Sequence, residues 1–127
     1  MIIGIGCRRG ASAAAITAAI ETACARAGLT KEHLDVIATA ASKEDEYGIA
    51  SAAAALGVPL VFVPEIDLRA ASDRVVTRSQ RVMELMGVPS VAEAAALAVG
   101  GPAARLLAAR ITVGPVTCAL VETEPAP

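Results

Sequence analysis

An α/β domain with a mostly parallel sheet, closed by an antiparallel pair of strands, is the fold class this sequence predicts. Three observations carry the prediction. Short apolar runs alternate with alanine-rich segments of helical spacing. Glycine follows the helical segments, at Gly28 and Gly57, where a left-handed C-terminal cap needs it. Val58–Val63 is a continuous apolar run, the pattern of a parallel strand buried on both faces.

The elements follow in order. Ile2 to Ile5 is the first strand. Ser12 caps a first helix running to Ala27, with Ile16, Ile20, Ala23, Cys24 and Ala27 on its apolar face. Thr30 caps a short turn that holds His33, the only histidine, as a surface residue. Asp35 to Thr39 is the second strand. The acids of Ser42–Glu46 suit the positive end of a helix that runs to Leu56. After the third strand, Pro64 to Ala71 is expected to be a loop that includes one helical turn. Arg74 to Met86 is expected to be helix, with Val75, Val82, Leu85 and Met86 inward. Its arginines, Arg74, Arg78 and Arg81, then share one face that is mostly solvated and is available to an anionic ligand or a partner. Ser90, with Glu93 three residues on, has the spacing of a capping box at the start of a helix through Val99. Arg105 to Glu122 forms two strands around Val113-Gly114-Pro115, a link short enough to make them antiparallel. Residues 1–122 are expected to form one domain and 123–127 a flexible tail.

Composition excludes several function classes. Aromatics are 2% of the chain, Tyr47 and Phe62 alone, so the core is built from Val, Leu, Ile and close-packed Ala. Stacking on nucleic-acid bases has no platform. The formal net charge is −2, with no basic patch suited to a duplex, so no nucleic-acid partner is expected. No unbroken apolar run reaches the length of about 18 residues that a membrane span needs, and no signal peptide is expected; the reading is a cytoplasmic protein without membrane attachment. Cys7, Cys24 and Cys118 are odd in number and widely spaced, which gives neither a disulfide framework nor a zinc site. No metal site or cofactor is expected.

The chemistry concentrates after the first strand. Gly6-Cys7-Arg8-Arg9-Gly10-Ala11-Ser12 combines a glycine-rich turn, two arginine forks and a helix start, a set suited to an anion. Loops after parallel strands share one sheet edge, so this loop and the Thr39–Glu46 loop should lie together. That places Arg8, Arg9, Lys43 and Glu46 around one crevice; the plain alternative for Lys43 and Glu46 is an i,i+3 surface pair. Cys7 beside two arginines and a helix start is expected to have a lowered thiol pKa. Gly4, Gly6 and Gly10 fit a GxGxxxG spacing, but Arg9 occupies the third glycine position of GxGxxG and no clear acid ends the second strand, so a dinucleotide-binding module is the weakest reading.

These residues resemble the CobE/CbiG C-terminal domain family of cobalamin biosynthesis. Gly4-Ile5-Gly6-Cys7-Arg8-Arg9-Gly10 resembles its opening block. Ile37-Ala38-Thr39 followed by Lys43 and Glu46-Tyr47-Gly48 resembles its second. Gly87-Val88-Pro89-Ser90-Val91-Ala92-Glu93-Ala94-Ala95-Ala96-Leu97 is similar to its GxxSVAEAAAL block, and Gly114-Pro115-Val116-Thr117 with Cys118-Ala119-Leu120 to its closing strand. Pro115 replaces the family's Asn, Thr112 stands where a basic residue is usual, and Arg110 stands where another is common.

The resemblance implies a three-layer α/β/α sandwich and a role in making the corrin ring. It implies a corrinoid or precorrin ligand held by Gly6, Cys7, Arg8, Arg9, Gly10, Ala11, Ser12, Thr39, Lys43 and Glu46, and pathway enzymes as possible partners. The length is that of CobE-like stand-alone proteins, which implies a carrier or accessory. Longer CbiG proteins open the lactone of cobalt-precorrin-5A and release acetaldehyde. The alternative implied here is that reaction, with Glu46 or Cys7 as base or nucleophile.

Overall fold

The computed structural model describes residues 1–123; the rest of the expected tail, 124–127, lies outside the described residues. Five strands form one sheet: β1 (Ile2–Cys7), β2 (Val36–Ala40), β3 (Leu60–Val63), β4 (Arg105–Val113) and β5 (Val116–Glu122). Their order is β3-β2-β1-β5-β4. β1, β2 and β3 are parallel, and β5 runs antiparallel to both β1 and β4. The predicted mostly parallel sheet with an antiparallel C-terminal pair is therefore the fold observed.

Alternate residues of β1 and β2 serve two cores. Ile3, Ile5 and Ile37 face α1 (Ala13–Arg26) and α2 (Tyr47–Leu56), where Ile16, Ile20 and Ile49 meet them. All six are fully buried, each contributing about 1.5–3 kcal/mol. Ile2, Ala38 and Ala40 face the opposite layer, α3 (Glu65–Ala71) and α5 (Val91–Gly100). A Cβ placed on Gly4 would lie 1.8 Å from the Ala92 carbonyl oxygen. The backbone of α5 thus rests directly on β1, and Ala92, Ala94, Ala95 and Ala96 are fully buried there. This is the packing that the dense alanine anticipates. No single helix among the described residues is long and apolar enough to cross a membrane.

Four local expectations are corrected. β3 is an edge strand with Val61 exposed, because β5 and β4 extend the sheet from the other side of β1. Glu65–Ala71 is helix throughout rather than a loop with one helical turn: Pro64 opens it, and Glu65 and Asp67 sit at its positive end. The acids 44–46 precede α2 instead of starting it; Ala41–Lys43 is one 3-10 turn and the helix begins at Tyr47. The predicted helix from Arg74 shrinks to α4 (Gln80–Met86), capped by Ser79. Val75-Val76-Thr77 is a β-branched run whose backbone N–H groups at 76 and 77 find a side-chain acceptor instead of a helix. Of the expected inward positions, Val75 is buried and Val82 and Met86 are partly so, but Leu85 is 70% exposed. Arg74, Arg78 and Arg81 share no helix face. Arg74 instead reaches α5 and donates to the Gly101 and Leu97 carbonyls at 3.0 and 3.2 Å.

Candidate functional site

The ends of β1 and β2 do bring their loops together. The Gly10 N–H donates to Glu46 Oε1 at 2.6 Å, pinning the first loop to the start of α2. Behind that bond, Gly48 packs so tightly that a Cβ would approach the Ala11 carbonyl to 2.2 Å. The C-terminal hairpin joins from the other side: the Arg8 N–H donates to the Pro115 carbonyl at 2.9 Å, and the Thr117 hydroxyl to the Gly6 carbonyl at 3.2 Å. The proline at 115 keeps this bond, since its carbonyl is the group in use.

Between these loops and α4 opens a cleft of about 460 Å³. Arg8 and Arg9 come from the loop after β1, Lys43 from the turn after β2, Arg81 from α4 and Arg110 from β4. Val82, Leu85, Met86 and Val91 supply its apolar surface, and Gly6, Cys7, Thr112, Gly114, Pro115 and Thr117 complete the lining with Ser79. No acid among the described residues lines it. Five of the chain's eleven Lys and Arg residues thus converge on one place in a molecule of net charge −2. The ion pairs among the described residues are Met1–Asp35, Glu65–Arg69 and Arg105–Glu122, so among those residues none of the five cleft cations is in an ion pair. Arg110 and Lys43 are half-buried, whereas Arg8, Arg9 and Arg81 are exposed. Cations without an ion-pair partner beside an apolar surface hold a positive potential for a ligand that brings its own carboxylates.

The expected site residues divide into two groups. Gly6, Cys7, Arg8, Arg9 and Lys43 line the cleft. Thr39 does not: it is fully buried, and its hydroxyl donates to the Ile5 carbonyl at 2.7 Å, bracing β2 on β1. Ser12 caps α1 by accepting from the Ala15 N–H. Gly10 sits in the turn with φ +79, its N–H already engaged by Glu46, and Ala11 lies beneath Gly48. Glu46 is a tether between the two loops and makes no ion pair with Lys43, so the i,i+3 surface pair does not form. Gly4 and Gly6 lie inside β1 rather than in a phosphate turn, and Gly4 serves the packing of α5.

Cys7 behaves opposite to expectation. Burial pushes its thiol up, Lys43 only partly offsets that, and Glu46 adds to it. The neutral thiol therefore prevails at neutral pH. Iodoacetamide should label Cys7 more slowly than free cysteine at neutral pH, with the rate still climbing at a pH where free cysteine has levelled off; early levelling would contradict this. Cys24 and Cys118 are buried as expected, and burial pushes Cys118 up to about 12.

Arg81 and Arg110 are the cleft cations that local reading places least well. Arg81 was legible only as one of an arginine series, and Arg110 only as a basic residue before the closing strand. Two register shifts in the β4–β5 ladder explain the second. Between Ala108 and Ile111, β4 carries one residue more than β5 between Leu120 and Cys118. Such a bulge re-aims a side chain, and Arg110 is the residue it delivers to the cleft.

The family model described as "Cobalamin synthesis G C-terminus" matches residues 1–121. The chain belongs to this family. It is a cobalamin-biosynthesis protein of the CobE and CbiG C-terminal type. It is 32% identical over 120 residues to Protein CobE of a Sinorhizobium species, covering 94% of this chain and 78% of that protein. The crystal structure of CobE, a protein of the cobalamin (vitamin B12) biosynthetic pathway, superposes with a TM-score of 0.88 at 36% identity, covering 94% of this chain and 87% of that one. The cobalamin biosynthesis protein chiG from Agrobacterium tumefaciens is 44% identical, with a TM-score of 0.79 and 98% of each chain covered. In this member of the family, the opening block lines the cleft from Gly6 to Arg9, the second through Lys43, and the closing block from Gly114 to Thr117.

Proposed function

We propose that the cleft binds an anionic corrinoid intermediate of cobalamin biosynthesis, as a carrier or as an accessory to a pathway enzyme. The observation that carries this reading is the set of five cations, none in an ion pair among the described residues, around an apolar surface. Corrin intermediates have the matching chemistry: an apolar macrocycle edged by acetate and propionate carboxylates. Arg8, Arg9, Lys43, Arg81 and Arg110 pair with those carboxylates, and Val82, Leu85, Met86 and Val91 cover the ring edge. The cleft volume falls within the usual range of small-ligand sites.

The lactone-opening alternative gains no observation of its own. Glu46 is committed to the Gly10 N–H, and the Cys7 thiol is held in its neutral form.

Titration with hydrogenobyrinic acid, followed by visible absorbance and calorimetry, tests the reading. Micromolar or tighter binding is expected, weakening at least tenfold as salt rises from about 0.05 to about 0.5 M. Cobinamide, whose peripheral acids are amides, is expected to bind far more weakly. Equal affinity for both ligands, or no binding of the acid, would overturn it.

A further inference from the structure

Glu93 is fully buried in the first turn of α5 and belongs to no ion pair among the described residues. Ser90 accepts from its N–H at 3.4 Å, which is half of a capping box. The reciprocal half is missing, because the carboxylate turns away from α5. Its Oε1 accepts the N–H groups of Val76 and Thr77 at 2.7 and 3.0 Å. Its Oε2 accepts the Thr77 hydroxyl and the Arg110 N–H, the latter at 2.8 Å. Burial opposes ionisation, but these bonds outweigh it and hold the carboxyl below its usual range.

A buried carboxylate is a costly way to fill core space, and an apolar side chain of similar size would pack there without four partners. What the acid does that an apolar residue cannot is grip two remote backbone segments at once. Each segment carries a cleft cation. Val76–Thr77 leads through the Ser79 cap into α4 and Arg81. Arg110 is the bulge residue of β4, its N–H given to Glu93. The grip comes from a rigid support, since α5 lies with its backbone against Gly4.

We propose that Glu93 is a positioning residue of the cleft: through one carboxylate it sets the places of Arg81 and Arg110 opposite Arg8, Arg9 and Lys43. The inference rests on the cleft being an anion-binding site, and its test separates the two claims. Glu93→Gln keeps one acceptor oxygen, but its amide nitrogen cannot accept from the Arg110 N–H or the Thr77 hydroxyl. In the ligand-free full chain, amide exchange at Arg110 or Thr77 is expected to rise at least tenfold, while Ile3 and Ile5 in β1 stay as in the wild type. Unchanged exchange at both positions overturns the proposal whatever the ligand results are.

With hydrogenobyrinic acid, Glu93→Gln is expected to weaken binding about tenfold in the wild-type background, and not at all in an Arg81→Ala/Arg110→Ala background. An equal loss in both backgrounds identifies a general structural role and overturns the positioning role. Failure of the wild type to bind the acid defeats the functional reading and leaves the exchange result to decide the clasp. If Glu93→Gln does not fold, Thr77→Val removes the hydroxyl bond alone. The same pattern, two- to threefold in size, is then expected, and its absence overturns the proposal.

Discussion

Gly4→Ala is expected to destabilise the protein by about 3 kcal/mol or more, and Gly4→Val to leave it without a cooperative unfolding transition. The added Cβ would sit 1.8 Å from the Ala92 carbonyl oxygen and 3.0 Å from the Ala96 Cβ. Overpacking a core costs about 1–3 kcal/mol when side chains can move aside. Here the obstacle is helix backbone, so relief requires shifting α5, and α5 touches β1, β2, β4 and β5. A loss of that size is a large fraction of the 5–15 kcal/mol typical of a domain. Urea denaturation measures it as a lower midpoint at unchanged slope. Gly10→Asn is the matched control. Gly10 has φ +79 with nothing near its Cβ, and Asn tolerates that conformation, so a change below about 1 kcal/mol is expected. Wild-type stability in Gly4→Ala would mean that α5 does not rest on β1 as described.

The second large effect concerns binding. Arg8→Ala combined with Arg110→Ala is expected to weaken hydrogenobyrinic acid about 100-fold, with no comparable loss of stability. A hydrogen bond to a charged partner contributes about 1.5–3 kcal/mol. Arg110 is half-buried, so its contact should fall within that range, whereas exposed Arg8 is screened and should lie near or below its lower end. Arg8 lies in the loop after β1 and Arg110 within β4, and they share no hydrogen-bond partner, so their losses should approximately add. Arg26→Ala, at the end of α1 remote from the β1 loop, is expected to leave affinity unchanged. Calorimetry on the wild type and the two variants reads the difference directly. A double variant that binds as tightly as the wild type would place the ligand elsewhere.

Much of the site was legible because it lies in short loops next to regular elements. The strand–turn–helix run from Ile2 into α1 placed Arg8, Arg9 and Cys7, and the parallel crossover through α1 then required Lys43 to lie nearby. The errors have a common origin. The sequence places Thr39 and Glu46 at a ligand, but a hydroxyl and a carboxylate take the nearest backbone partner, here the Ile5 carbonyl and the Gly10 N–H. The thiol of Cys7 was judged by its charged neighbours in sequence, while its burial decides the direction.

Residue order alone determined the alternation of strands and helices, the glycine stops at Gly28 and Gly57, the Ser12 and Ser90 caps, and the alanine-rich surface that lets α5 approach the sheet. These depend on interactions within about one helical turn or on strand periodicity. Only the tertiary structure decided that β5 joins β1, that the β4 bulge carries Arg110 into the cleft, and that Glu93 spends its carboxylate on residues 16 and 17 positions away. Those choices rest on sheet order and on which distant N–H groups are left without a ladder partner. No local propensity encodes either, because the competing partners come together only after the layers have packed.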